Sequence, residues 1–151
     1  MTLKRILLVE DISKDVELTL AALQTNNLAN EVVVARDGVA ALDYLYRRGD
    51  YAVEPPGNPA VVLLDIKMPR LDGLQVLERM RAEPALKTVP VVMLTSSREE
   101  PDLQRAYGLG ANAYVVKPVD FAQFLEAVKQ TGAFWAVVNE PPAYHASTRS
   151  S

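Results

Sequence analysis

Val61-Val62-Leu63-Leu64-Asp65 is the stretch on which the fold turns: four apolar residues without a break, then an acid. A half-buried strand alternates apolar and polar residues. An unbroken, β-branched run instead fits a strand covered on both faces, as in a parallel sheet. The same pattern recurs on either side. Ile6-Leu7-Leu8-Val9 ends in Glu10-Asp11, and Val32-Val33-Val34-Ala35 follows it. Val91-Val92-Met93-Leu94 ends at Thr95, and Ala113-Tyr114-Val115-Val116 ends at Lys117.

Helical patterns separate these runs. Val16, Leu20 and Leu23 form one stripe, with Ser13 or Asp15 expected near its cap. Val39, Leu42 and Leu45 form a second, and Leu74, Val76, Leu77 and Met80 a third. Leu103, Ala106 and Tyr107 form a weaker fourth, closed by Gly108 and Gly110. The fifth opens at Asp120 with Gln123 three residues on, the spacing of a capping box. It carries Phe121, Phe124, Leu125 and Val128, is expected to run on to Val138 despite Gly132, and stops at Pro141-Pro142. Five strand–helix units imply an α/β fold, a single doubly wound parallel sheet with helices on both faces. Arg47 to Ala60 holds Gly49, Pro55, Pro56, Gly57 and Pro59 and reads as one long irregular loop, residues 47–60.

Composition narrows the function. The chain has 151 residues, no cysteine, one histidine (His145) and a net charge of −3. Disulfides, Cys-ligated metals and thiol catalysis are excluded, and a His-dependent triad has little to draw on. An acidic balance disfavours sequence-independent nucleic-acid binding, so no DNA partner is expected. No apolar run approaches the roughly 20 residues that span a bilayer, so no membrane partner is expected and the localisation reads as cytoplasmic.

The chemistry lies at the ends of the runs. In open parallel α/β sheets, ligands bind beyond the carboxyl ends of the strands. Glu10, Asp11, Asp65, Thr95 and Lys117 all stand at such ends, and the topology predicts that they converge. A phosphatase of the haloacid-dehalogenase type would carry a second Asp two residues after the first, where this chain has Lys67. A flavodoxin would carry a Ser/Thr/Gly-rich cradle after the first strand, where this chain has Glu10-Asp11-Ile12-Ser13. The G-x-x-x-x-G-K-[ST] nucleotide loop is absent.

Ile6-Leu7-Leu8-Val9-Glu10-Asp11, Leu64-Asp65-Ile66-Lys67-Met68-Pro69 with Asp72-Gly73, Leu94-Thr95-Ser96 and Lys117-Pro118 together resemble a two-component response-regulator receiver domain. The resemblance implies a flavodoxin-like strand order of 2-1-3-4-5 with five helices. It implies that residues 1–138 form the receiver, with its last helix over 120–138, and that 139–151 form a C-terminal arm and flexible tail. It implies that Asp65 is phosphorylated by a sensor histidine kinase. Mg²⁺ (or Mn²⁺) would be held by Glu10, Asp11, Asp65 and the Lys67 backbone carbonyl. Thr95, Ser96 and Lys117 would meet the phosphate, across a cis Lys117-Pro118 bond. Thr95 and Tyr114 would form the switch that alters the face of the fourth helix, fifth strand and fifth helix. On this reading the chain is a phosphoprotein of a phosphorelay and not a classical enzyme.

The Pro-rich loop and the lengthened end resemble stand-alone regulators paired with cyanobacterial and bacterial phytochromes. That subgroup implies a bacteriophytochrome kinase, a possible downstream phosphotransfer protein, and a homodimer with Phe134, Trp135 and Pro141 as candidate contacts. The competing reading is a phosphate-independent pseudo-receiver that acts as a dimeric protein-binding module.

Overall fold

Each of the five apolar runs forms a strand, and each helical stripe forms a helix. The computed structural model describes residues 4–25, 28, 30–52, 57–134 and 137. The order is β1 (Ile6–Val9), α1 (Ser13–Gln24), β2 (Val32–Ala35), α2 (Gly38–Tyr46), β3 (Val61–Asp65), α3 (Gly73–Ala82), β4 (Val91–Thr95), α4 (Asp102–Gly108), β5 (Ala113–Val116) and α5 (Phe121–Thr131). All pairings are parallel, in the order β2-β1-β3-β4-β5.

Successive strand residues point to opposite faces, which divides the core in two. Leu7, Val9, Val62, Leu64, Val91 and Met93 meet α2, α3 and α4 on one face. Ile6, Leu8, Val61, Leu63, Val92 and Leu94 meet α1 and α5 on the other. Strands β1, β3 and β4 are buried throughout, as unbroken apolar runs require. The outer strands are not. Only Ala35 of β2 is buried, and β5 alternates buried and half-buried residues, because each has a neighbour on one side alone.

Several local expectations need correction. Ser13 opens α1 and Asp15 lies in its first turn, near the cap as expected, but the N-cap itself is Ile12, with no side-chain bond. The Ser13 hydroxyl instead accepts from Arg36 at 3.0 Å. Leu42 and Leu45 of the α2 stripe are buried as expected, but Val39 is exposed, and Ala41 and Tyr44 complete the buried face. The 47–60 loop is not wholly irregular, since Gly49–Tyr51 form a 3₁₀ turn whose Tyr51 ring packs edge-on against Tyr44. Asp120 does cap α5, accepting from the Gln123 N–H at 2.8 Å, but the Gln123 amide returns to the Asp120 side chain and not to its backbone. Helix α5 ends at Thr131, where Gly132 turns left-handed at φ 82°. It therefore does not run unbroken over 120–138. Helical bonding resumes beyond the glycine, where the Val137 N–H donates to the Ala133 carbonyl. The expected arm and tail, 139–151, lie outside the described residues.

Gly73 fixes where β3 ends. A Cβ built on it would lie 2.1 Å from the Asp65 carbonyl oxygen, so the first turn of α3 presses on the backbone of that residue. Gly73→Ala must push the two apart. Overpacking of this kind costs about 1–3 kcal/mol, more than the gain of up to ~1 kcal/mol from placing Ala in a helix. We expect Tm, followed by circular dichroism, to fall by several degrees. An unchanged Tm would mean that the strand end yields without cost.

Candidate phosphoacceptor site

Strand register builds the site. Asp65 lies beside Leu94, and Thr95 beside Val116, so the carboxyl ends of β3, β4 and β5 are level. Glu10 follows β1 directly, its N–H bonded to the Ala35 carbonyl. The Lys117 N–H donates to the Thr95 carbonyl at 2.7 Å, continuing the ladder past β5, and the Lys117-Pro118 bond is cis. The expected convergence is therefore present. Asp65, Thr95, Ser96, Lys67 and Lys117 line one cleft of about 420 Å³, together with Asp15, Ile12, Leu18 and Pro118.

The loop between Asp65 and α3 is held at its far end. The Asp72 carboxylate accepts from the Gln75 N–H at 2.9 Å, and Gln75 Oε1 accepts from the Asp72 N–H at 3.0 Å, a complete capping box. The Arg70 guanidinium pairs with Asp37, which caps α2. The Lys67 ammonium, with its side chain 70% exposed, turns toward Glu100 and Asp102 at the start of α4.

At the centre, Lys117 Nζ donates to Glu10 at 3.0 Å, to Asp15 at 3.0 Å and to Asp65 at 3.3 Å. Asp15, which the sequence places only near the start of α1, is thus a partner of this lysine. Burial pushes the Asp65 carboxyl up, the adjacent Glu10 carboxylate pushes it further, and Lys117 pulls it back only in part, which leaves it at about 7. Burial works against the Lys117 charge, but hydrogen bonds to Asp15 and Glu10 and the field of Asp65 outweigh it and hold the ammonium above its ordinary value.

Glu10, Asp11 and Asp65 each place a carboxylate oxygen within 4.8 Å of the others. Asp11 Oδ1 is buried and has no hydrogen-bond partner. A buried carboxylate oxygen left without a donor is costly. These observations fit a divalent cation, and an all-oxygen set suits Mg²⁺ or Mn²⁺.

Thr95 is buried at the end of β4. Its hydroxyl donates to the Ser97 carbonyl at 2.9 Å and accepts from the Ser97 N–H at 3.3 Å. Tyr114 is half-buried on β5, its ring edge-on to Tyr107 at 6.4 Å. Phe134 is half-buried against the α1–α5 side of the core, with Lys129 Nζ 5.4 Å from its ring centroid. Trp135 and Pro141 lie outside the described residues. No helix among the described residues is long and apolar enough to cross a membrane.

The Asp65 shift has a consequence for stability. In the unfolded chain this carboxyl titrates near 3.8, and in the fold near 7. Between these values the folded state holds more protons, so Asp65 subtracts stability as pH rises. In EDTA, Asp65→Asn should raise Tm at pH 8 and change it far less at pH 5, by about 2–4 °C for each kcal/mol recovered. A Tm difference independent of pH would rule out the buried charge as its cause.

Comparison with known proteins agrees with this geometry. Residues 6–129 match the response regulator receiver domain. Response regulator Rcp1 of Synechocystis sp. is 36% identical over 140 residues, 93% of this chain and 94% of Rcp1. Its Mn²⁺-bound crystal structure superposes with a TM-score of 0.71. The bacteriophytochrome response regulator AtBRR is 59% identical over 93% of this chain and 100% of its own, with a TM-score of 0.85. The phosphorylated cyanobacterial phytochrome response regulator RcpA is 37% identical over 94% of this chain and 100% of its own, with a TM-score of 0.73. A receiver model matched over most of the chain, and relatives that share its fold at 36–59% identity, show that the chain belongs to the response regulator receiver family.

Proposed function

We propose that the chain accepts a phosphoryl group on Asp65 from a sensor histidine kinase of the bacteriophytochrome type. The observation that carries this reading is the placement of the Asp65 carboxylate between an acidic cluster and the Lys117 ammonium, in an open cleft. The kinase class is supported by AtBRR and RcpA, which are phytochrome response regulators. In the transfer, an Asp65 oxygen forms a bond to phosphorus while the P–N bond to the donor histidine breaks. The histidine nitrogen leaves with the electron pair and takes a proton from water. Glu10, Asp11, Asp65 and the Lys67 carbonyl would hold Mg²⁺, or Mn²⁺ in its place, and the cation would supply charge neutralisation. Lys117 pairs with a phosphoryl oxygen, the small Ser96 leaves room for the donor, and the Thr95 hydroxyl binds the phosphate. The chain consumes its own side chain in the process and so acts as a phosphoacceptor, not as a classical enzyme.

Signal output follows from a coupled movement. The Thr95 hydroxyl leaves Ser97 for the phosphate, Tyr114 turns inward, and the face of α4, β5 and α5 changes. This is a population shift driven by a local charge. The altered face serves a partner protein or passes the phosphoryl group to a His-containing phosphotransfer protein.

Phosphate-affinity gels after incubation with acetyl phosphate and Mg²⁺ test both parts. Wild type should give a shifted band that EDTA abolishes and Asp65→Asn lacks. Thr95→Ala should still shift, but its Tyr114 NMR signals should not move on phosphorylation. No shift with acetyl phosphate or with phosphorylated kinases would leave the phosphate-independent binding module as the reading. A Thr95→Ala protein that switched normally would remove the coupling.

We also propose a homodimer anchored by Phe134, Trp135 and Pro141, because aromatic residues concentrate binding energy at interfaces. Light scattering should show Trp135→Ala with a lower mass than a dimeric wild type. An unchanged dimer mass would remove Trp135 as an anchor.

A further inference from the structure

The geometry points to Asp15 as a positioning residue that holds the Lys117 ammonium in the resting site and releases it to the incoming phosphoryl group. This inference rests on the phosphoacceptor reading above. An ammonium has three N–H donors. Here they go to Glu10, Asp15 and Asp65, at 3.0, 3.0 and 3.3 Å. An arriving phosphoryl oxygen must therefore displace one carboxylate.

The three are not equally replaceable. Glu10 is fully buried, so its carboxylate cannot swing into bulk water on releasing the lysine. Asp65 is the acceptor itself and must stay beside the reacting phosphorus. Asp15 is not one of the three carboxylates, Glu10, Asp11 and Asp65, whose oxygens lie within 4.8 Å of one another. Its side chain is 26% exposed, so a released carboxylate can rehydrate. It sits in the first turn of α1, where the free N–H groups of the helix favour negative charge. Exchange is cheapest at Asp15.

Asp15 also lines the cleft through which the donor enters. Its charge opposes an anionic phosphoryl donor, and it competes for Lys117. Both effects act in the same direction, so Asp15 slows phosphorylation of the resting protein while keeping Lys117 at the cleft. Asp15→Asn keeps the shape and removes the charge. Glu10 and Asp65 remain as partners for Lys117, so the fold retains its buried ion pairs.

The test compares wild type, Asp15→Asn and Asp15→Glu with acetyl phosphate at saturating Mg²⁺. In this step the Asp65 oxygen–phosphorus bond forms as the bond from phosphorus to acetate breaks, and acetate leaves with the electron pair. A partly exposed ion pair is worth up to ~1 kcal/mol, so Asp15→Asn should be phosphorylated about two- to fivefold faster. Asp15→Glu should remain near wild type. Calorimetry should show tighter binding of beryllium trifluoride to Asp15→Asn, with Mg²⁺ affinity little changed because Asp15 lies outside the cation cluster. A phosphorylated wild type with Asp15→Asn at the same rate or slower would overturn the role of Asp15 alone. So would an Asp15→Glu rate that matched Asp15→Asn, or a large loss of Mg²⁺ affinity. A wild type that takes no phosphoryl group from acetyl phosphate or from a kinase would overturn the phosphoacceptor reading, and this inference with it.

Discussion

A single ammonium, Lys117 Nζ, is held within 3.3 Å of carboxylate oxygens from three residues, Glu10, Asp15 and Asp65. A fourth carboxyl group, Asp11, adds a buried oxygen with no hydrogen-bond partner. One positive charge cannot neutralise four negative ones, and at the buried Glu10 and Asp65 a charge without a partner is costly. The fold answers the excess with a proton, by raising the Asp65 carboxyl to about 7. A divalent cation at Glu10, Asp11 and Asp65 would answer it instead. Proton and cation then compete for the same carboxylate, so the affinity proposed for Mg²⁺ should depend on pH below neutrality. The negative excess makes a poor resting structure and a good receptor for positive charge.

The rest of the architecture serves to keep these charges together. Charged residues of this kind do not form a cluster unless backbone is committed to it. Here that commitment is the level register of β1, β3, β4 and β5, whose interiors are buried aliphatic residues. Gly73 extends the same rigidity past the sheet, since its close approach seats α3 directly on the Asp65 backbone. The Asp72–Gln75 box then fixes the start of that helix. Between the two ends, residues 66–72 are pinned to α2 through Arg70 and Asp37 and reach toward α4 through Lys67. The acceptor is therefore fixed through the backbone on both sides, whereas Asp15, on α1, has access to water.

Much of this was legible in the sequence, for identifiable reasons. Unbroken apolar runs identify strands covered on both faces, and a polar residue closing each run identifies the site, because the parallel topology brings those ends together. Lys117, more than a hundred residues from Glu10, was placed beside it on that basis alone. What failed was local. Asp15 has the spacing of a cap and the chemistry of a lysine partner, and only the tertiary position of Lys117 decides between them. Val39 fits a helical stripe, yet Ala41 and Tyr44 take the buried face of α2. Gly132 was read as tolerated within α5, but its left-handed conformation ends the helix, a choice that helix propensity alone does not settle. The Asp72–Gln75 box has the same Asp-x-x-Gln spacing as Asp120–Gln123, so it too is legible in the sequence.

The proposed switch draws on this same division between fixed and movable groups. Thr95 does not wait for phosphate with an idle hydroxyl: its proton is already donated to the Ser97 carbonyl, two residues along its own loop. Binding phosphate therefore exchanges one hydrogen bond for another, and the driving force is the excess of a bond to an anion over a bond to a neutral carbonyl. Such an excess is small, about 1 kcal/mol, so it can bias an existing equilibrium but cannot remake a core. Tyr114 is suited to that scale of change. It sits half-buried on an edge strand, against the rim of the core and edge-on to the more exposed Tyr107, so its movement disturbs less packing than that of a fully buried ring. A fully buried aromatic in its place would resist a bias of this size, because emptying a packed site costs several times more. The edge position of β5, which breaks the pattern of fully buried strands, would thus let the proposed switch carry a weak chemical signal from the centre of the sheet to its outer surface.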